Sequence, residues 1–373
     1  MSSVGRLLHI AFSPASQSAS SVSALFRESN LESLVQRFKK LCEHQKYRDK
    51  IDIYEHTVRR LASAGRFDLV EEVIEDQRKY ICVSKEGFAA RLIRLCGKSG
   101  MFDHAQKVFD EMPIKGVLSF NALMGACVNS NKFDEVNRLF KELPEKLSIK
   151  PDRISYNTVI KAFCEMGSFA SASLMLDEME KKGMEPDEFT FNTLLDAFYK
   201  NGKFVDGEKI WNIMLQKNVT PTVRSYNAKL HGLVSQKRTE EAVKLVGEIR
   251  SKGFKPDVFS FNALFEGFIS EGNLEEARRW YNEMKKNGCA PDKVTFELLV
   301  PFACEKGDVD FAFEHCEKIF GTRFSKKFCF DESLLQKVVD ELVACSKIEE
   351  AKKLVQLGKA NKYHDYRLKL PSK

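Results

Sequence analysis

The chain of 373 residues is 43% hydrophobic and 30% charged, with a formal net charge of +6. That apolar share is enough for a buried core and excludes wholesale disorder, while twenty glycines and ten prolines are too few for a collagenous or low-complexity chain. No apolar run approaches the roughly 20 residues of a membrane-spanning helix, Leu298 to Cys304 being about the longest, so no membrane partner is expected.

From the N-terminus, residues 1–27 contain no acid, the first being Glu28, and hold eight serines with Arg6 and Arg27. With the apolar-basic start from Val4 to Phe12, this is the composition of an organelle transit peptide, assigned to 1–28. A polar disordered tail is the alternative. A leading helical segment is expected over 29–50, and from there a period governs the chain.

Pro151, Pro186, Pro221, Pro256 and Pro291 stand 35 residues apart, and Asn121, Asn157, Asn192, Asn227 and Asn262 keep the same beat. The period sets units at 117–152, 153–187, 188–222, 223–257 and 258–292. In 153–187, Ser155, Tyr156, Val159, Ile160 and Phe163 form one helical stripe. Gly167 breaks the pattern, and a second helix carries Ala172, Met175, Leu176 and Met179 before Gly183 and Pro186 stop it. The unit 258–292 repeats this with Phe261, Leu264, Phe265 and Phe268, then Ala277, Trp280, Tyr281 and Met284. Val70, Ala105, Val136, Ala172, Gly207, Ala242, Ala277, Ala312 and Ala351 mark one position in the second helix. They extend the array to 51–85, 86–116, 293–331 (with extra residues around Gly321 to Lys327) and 332–362, leaving a basic tail at 363–373. One hairpin cannot bury both of its stripes, so neighbours must stack. The predicted fold is all-α, a right-handed superhelical solenoid of about nine helix–turn–helix repeats.

The ten cysteines include no C-x-x-C, so zinc and thioredoxin-type spacings are missing, and the cysteines read as small core hydrophobes of a reduced intracellular protein. His315-Cys316-Glu317 matches half of a zinc deaminase signature whose P-C-x-x-C half is absent, and His315 is expected on a solvated or partly buried helix. There is no phosphate loop, nucleophile elbow or nuclease-like acid cluster. No catalysis, cofactor, metal or small-molecule substrate is therefore expected.

The runs Ile154-Ser155-Tyr156-Asn157-Thr158-Val159-Ile160 and Phe189-Thr190-Phe191-Asn192-Thr193-Leu194-Leu195 resemble pentatricopeptide repeats, as do the closings Glu185-Pro186-Asp187 and Lys255-Pro256-Asp257. The rival tetratricopeptide array would need a Trp-Leu-Gly-Tyr pattern that is absent. The resemblance covers roughly 51–362, closely in five units. The segments from Ile53 to Leu61 and from Ser84 to Arg91 are similar to a short plant mitochondrial subgroup associated with the small subunit of the mitochondrial ribosome.

The resemblance implies single-stranded RNA as a partner, one base per repeat read by two side chains. The implied pairs are Asn121 with Asp152, Asn157 with Asp187, Asn192 with Thr222, Asn227 with Asp257, and Asn262 with Asp292. In the family Asn with Asp goes with uridine, and Asn with Thr has no firm assignment. Leu118, Ile154, Phe189, Arg224 and Phe259 are the implied base-stacking residues. Asn and Asp at helix starts are also ordinary cap and turn residues, which is the alternative at each position.

Charge tempers the implication. Residues 153–292 carry 20 Lys plus Arg and 20 Asp plus Glu, with none of the basic surplus that phosphate binding needs. On the expected concave face, one turn beyond each Asn, stand Gly125, Lys161, Asp196, His231 and Glu266, of which only Lys161 offers a phosphate contact. The tail, with Lys359, Lys362, Arg367, Lys369 and Lys373, reads either as an rRNA contact or as a solvated tail. The expected function is a mitochondrial matrix protein of the small ribosomal subunit, contacting rRNA and ribosomal proteins, with the plastid as the less favoured location. The alternatives are a free factor covering a uridine-rich transcript segment and a protein-binding scaffold.

Overall fold

The computed structural model describes residues 22–81, 85–321 and 329–371, and every regular element among them is an α-helix. Residues 1–21 of the expected transit segment, Ser84, most of the extra residues after Gly321, and Lys373 lie outside the described residues. Nine helix pairs follow the register, from Ile51–Ser63 with Phe67–Arg78 to Glu332–Ala344 with Ile348–Lys359. The first helix of each pair is called A and the second B.

Local chemistry explains each boundary. Pro151, Pro186, Pro256 and Pro291 precede Asp152, Asp187, Asp257 and Asp292, which are the N-caps of the following A helices. Each cap carboxylate accepts from the backbone N–H three residues on, at 3.0 Å from Ser155 and 2.9 Å from Thr295. The A helix of 153–187 ends where Gly167, at φ +69°, lets Ser168 N return to Phe163 O at 2.8 Å. Lys237 takes the same left-handed turn without glycine's freedom, at a cost of about 1 kcal/mol.

The chain forms two compact units, divided between Pro186 and Asp187. In the first, the A helices from 51–63 to 153–165 pack side by side with their B helices against them. Helices 86–98 and 117–129 approach so closely that a Cβ on Gly97 would lie 2.5 Å from Ala126 Cα. In the second unit the A helices from 188–200 to 332–344 pack in the same way. There the Tyr199 ring fills the space between Gly207 of its own B helix and Gly232 of the next A helix, where added Cβ atoms would come to 2.7 and 2.3 Å from it. The Tyr199 hydroxyl donates to Glu208, whose other oxygen accepts from Lys229 at 2.9 Å.

A helices are apolar on several sides because they have neighbours on several sides. Helix 258–270 buries Phe261, Ala263, Leu264, Phe265 and Phe268, whereas its partner 274–286 buries only one stripe, Ala277, Trp280, Tyr281 and Met284. The marker residues of the B helices, from Val70 and Ala105 to Ala312 and Ala351, are fully buried.

Three segments differ from the sequence expectation. Residues 22–27 are helical, Leu25 is fully buried and the Phe26 ring lies 4.5 Å from that of His56, so this end of the assigned transit segment is part of the packed array. His315 is not solvated: it is fully buried against Tyr281, Phe311 and Phe296. Burial pushes its pKa down to about 4. The tail is not free either, because Tyr366 and Leu368 are buried while Arg367 and Lys369 face solvent, and Gln336 exchanges two hydrogen bonds with the backbone of Lys369. Six cysteines are buried as expected, with the Cys42, Cys96, Cys127 and Cys164 thiols pushed up to about 12 by burial; Cys329 and Cys345 are exposed.

Candidate nucleic-acid interface

The implied reading residues sit at the fifth position of an A helix and at the cap of the next, and within each unit the fold brings Asn121 to Asp152, Asn192 to Thr222, Asn227 to Asp257 and Asn262 to Asp292. Asn121 Nδ2 donates to Asp152 Oδ1 at 2.9 Å, while Asn121 Oδ1 accepts from the Ser155 hydroxyl at 2.6 Å. Asn227 repeats this with Asp257 at 3.0 Å and Ser260 at 2.6 Å, and Asn262 with Asp292 at 3.1 Å and Thr295 at 2.8 Å. The carboxylate oxygen that caps the helix is also the one that holds the amide. Capping and amide positioning are thus one constellation in these repeats, not rival roles.

These bonds fix each amide plane and leave one Nδ2 hydrogen and one Oδ1 lone pair, a donor beside an acceptor. Oδ2 of Asp152, Asp257 and Asp292 has no bond to a described residue. Asn192 is held less firmly: Thr222 replaces the carboxylate at 3.5 Å, and only the Ser225 bond, 2.6 Å, is short. Asn157 is buried like Asn192, Asn227 and Asn262, and Asp187 caps helix 188–200 with a 3.0 Å bond from Thr190 N.

The second A-helix position carries large apolar side chains that stay open to solvent. Leu118, Ile154, Phe189 and Phe259 are 50–61% exposed. Each unit therefore leaves this position apolar and open, Leu118 and Ile154 in the first, Phe189 and Phe259 in the second. Val294 belongs to it at 45% exposure, and the 35-residue register would have found it. Arg224, the polar member, pairs its guanidinium with Asp196 Oδ2 at 2.9 Å and keeps its side chain 60% exposed.

At the ninth position Lys161 is exposed and unpaired among the described residues. His231 Nδ1 and Glu266 Oε2 are 3.1 Å apart, and Asp196 is paired with Arg224. The same position in the first two repeats holds Arg59 and Arg94, both exposed. Those repeats lack the amide: Glu55 and Ala90 stand at the fifth position, and Gly116 offers no cap side chain. Glu86 supplies the missing cap, accepting from Gly116 N and Ser119 N at 2.9 Å each.

Overlapping matches to the PPR repeat family run over 115–165, 151–200, 188–235, 221–270 and 256–305, with a further PPR repeat at 91–117. The chain is a pentatricopeptide repeat protein. Two pentatricopeptide relatives from Arabidopsis thaliana are small ribosomal subunit proteins. They are mS78 (rPPR3a), 50% identical over 157 residues, which are 41% of this chain and 39% of the relative, and mS79 (rPPR3b), 49% identical over 151 residues, 39% and 38%. The chain thus spans about two fifths of the length of the curated relatives it matches. The crystal structure of the pentatricopeptide repeat protein PPR10 from maize aligns with 98% of this chain and 52% of its own at 21% identity and a TM-score of 0.54, a likeness of fold.

Proposed function

We propose that this pentatricopeptide protein is a component of the small subunit of a plant mitochondrial ribosome, contacting rRNA and neighbouring proteins without catalysing a reaction. The identity of about one half to two small ribosomal subunit proteins carries the reading. The acid-free, serine-rich start supports import into an organelle, and the mitochondrial names of the relatives favour the mitochondrion. The balanced charge of 153–292 fits a protein held by several partners rather than by phosphate alone. Sedimentation of the tagged chain in a mitochondrial lysate tests it. Co-migration with small subunits after magnesium removal is expected, and migration in light fractions regardless of magnesium would discard it.

The preorganised amides favour one second reading, a free factor on a uridine-rich strand. In it Asn121, Asn157, Asn192, Asn227 and Asn262 read bases with Asp152, Asp187, Thr222, Asp257 and Asp292, stacking on Leu118, Ile154, Phe189 and Phe259, with Lys161 at a phosphate. Replacing Asn157, Asn227 and Asn262 together with Ala is then expected to abolish preference for oligo(U) over oligo(A). Unchanged preference would remove the base-reading role.

A further inference from the structure

Each B helix between 67 and 216 opens with a phenylalanine: Phe67, Phe102, Phe133, Phe169 and Phe204. Phe102 is covered by Lys132, whose Nζ lies 4.7 Å from the ring centroid, and Phe204 by Arg238 at the same distance. Both cations come from the residue just before the next B helix. At Phe67 that residue is Met101, and no cation lies over the ring among the described residues. Phe67 is 47% exposed where Phe102 is 8% exposed.

The open ring forms one wall of a cleft of about 460 Å³, lined also by Val58, Leu95, Glu55, Arg59 and Lys98. That volume falls within the roughly 300–1,000 Å³ of small-ligand clefts. Val58 and Leu95 make an apolar floor. Lys98 donates to Glu55 Oε1 at 2.9 Å. Lys98 first, then Arg59 and Arg94, hold the Glu55 carboxyl below the usual range, which places three cations around one anion.

The charge decides what can stack on Phe67. A lysine or arginine from a partner would enter a field that is already net positive, whereas a planar group tied to a phosphate satisfies both ring and cations. The one anion lies at the fifth helix position and offers only acceptors. Guanine presents two adjacent donors, N1–H and N2–H, whereas adenine and uracil each alternate donor and acceptor on that edge. The geometry points to a guanine nucleotide site between repeats 51–85 and 86–116, with the base on Phe67, its donor edge on Glu55, and the phosphate on Arg59 and Arg94. This deepens the RNA-contact reading and rests on it where the guanine belongs to a strand; a free guanine nucleotide shares the same chemistry.

Calorimetry on the full chain with GMP, AMP and UMP, and with a guanine-centred oligo(U), tests the site. GMP is expected to bind at least tenfold more tightly than UMP. Phe67→Ala should weaken GMP about tenfold, Glu55→Gln should erase the preference over AMP, and Met101→Lys should close the ring as Lys132 closes Phe102. Met101→Lys leaves the cleft lining in place, so it keeps the test valid should Phe67→Ala unfold. Equal binding of GMP and UMP, or GMP affinity unchanged in both Met101→Lys and Phe67→Ala, would overturn the site. Binding of the oligonucleotide at least tenfold tighter than GMP, lost with Met101→Lys, assigns the guanine to RNA; equal affinities assign a free nucleotide. Oligo(U) bound normally by Met101→Lys while GMP binding is absent from the wild type sinks this site alone. GMP bound while no RNA binds sinks the RNA-contact reading alone.

Discussion

The first two repeats and the three from 188 to 292 use the same two helix positions in opposite ways. In 188–292 the fifth position is an oriented amide, and the ninth is Asp196, His231 or Glu266, largely paired within the protein. In 51–116 the ninth position is an exposed arginine and the fifth is Glu55 or Ala90, which cannot present an amide. In 188–292 the oriented amide thus has no free cation at the ninth position of its helix, while in 51–116 the exposed arginine has no amide at the fifth. Phosphate attraction carries no sequence information, so under the proposed readings the two regions would contribute differently to a strand, the first by charge and the Glu55 carboxylate, the second by amides.

The largest expected effect concerns stability and contrasts the two units. His315 stays neutral inside the second unit down to about pH 4, while in the unfolded chain it protonates near 6.5. Between those values the unfolded state binds the extra proton, so stability falls as pH drops through the window and levels off below it. Urea unfolding should show a loss of about 2 kcal/mol at pH 5 relative to pH 7.5, absent in His315→Phe. An equal loss in that variant would place the acid sensitivity elsewhere.

Next comes charge reversal in the first two repeats. Arg59→Glu with Arg94→Glu should weaken oligonucleotide binding roughly tenfold and reduce the slope of log K against log salt by about 1.4, two phosphate contacts being lost. Asp196→Asn with Glu266→Gln in the other region should leave affinity within about twofold, since only small, paired charges are removed. Equal effects of the two doubles would erase the contrast. The smallest effect is on the caps: Glu86→Ala and Asp257→Ala should each cost about 1 kcal/mol in thermal or urea unfolding. If Glu86→Ala alone were silent, Gly116 would not depend on a borrowed cap.

Much of this was legible in the sequence, because prolines and asparagines repeat only where a backbone has to stop and restart in the same way. Their phase was enough to place helix boundaries, and the resemblance to pentatricopeptide repeats implied the amide–carboxylate partners. The burial of His315 was not read, although the register aligns it with Trp280 and Ile210, both core residues. A half-matched metal motif drew attention from the simpler fact of position. The tail was judged by its charge, while its alternation of Tyr366 and Leu368 with Arg367 and Lys369 is the period-two signature of a chain lying on a surface. The Phe67 cleft was beyond any local reading. It depends on a methionine 34 residues away standing where Lys132 and Arg238 cover Phe102 and Phe204, which only the packed hairpins reveal.

The hydroxyl-to-amide bonds have a mechanical meaning as well. Ser155, Ser225, Ser260 and Thr295 each begin one hairpin yet close on an asparagine of the hairpin before it. Every such bond is a rivet between successive hairpins, so the energy that couples neighbours passes through the side chains proposed to meet a base. Exchanging an asparagine to alter what a repeat recognises would also loosen that seam. Amide hydrogens on both sides would then exchange faster, and cooperative unfolding would break into shorter blocks at that point. The proposed recognition and the cohesion of this array draw on the same few atoms.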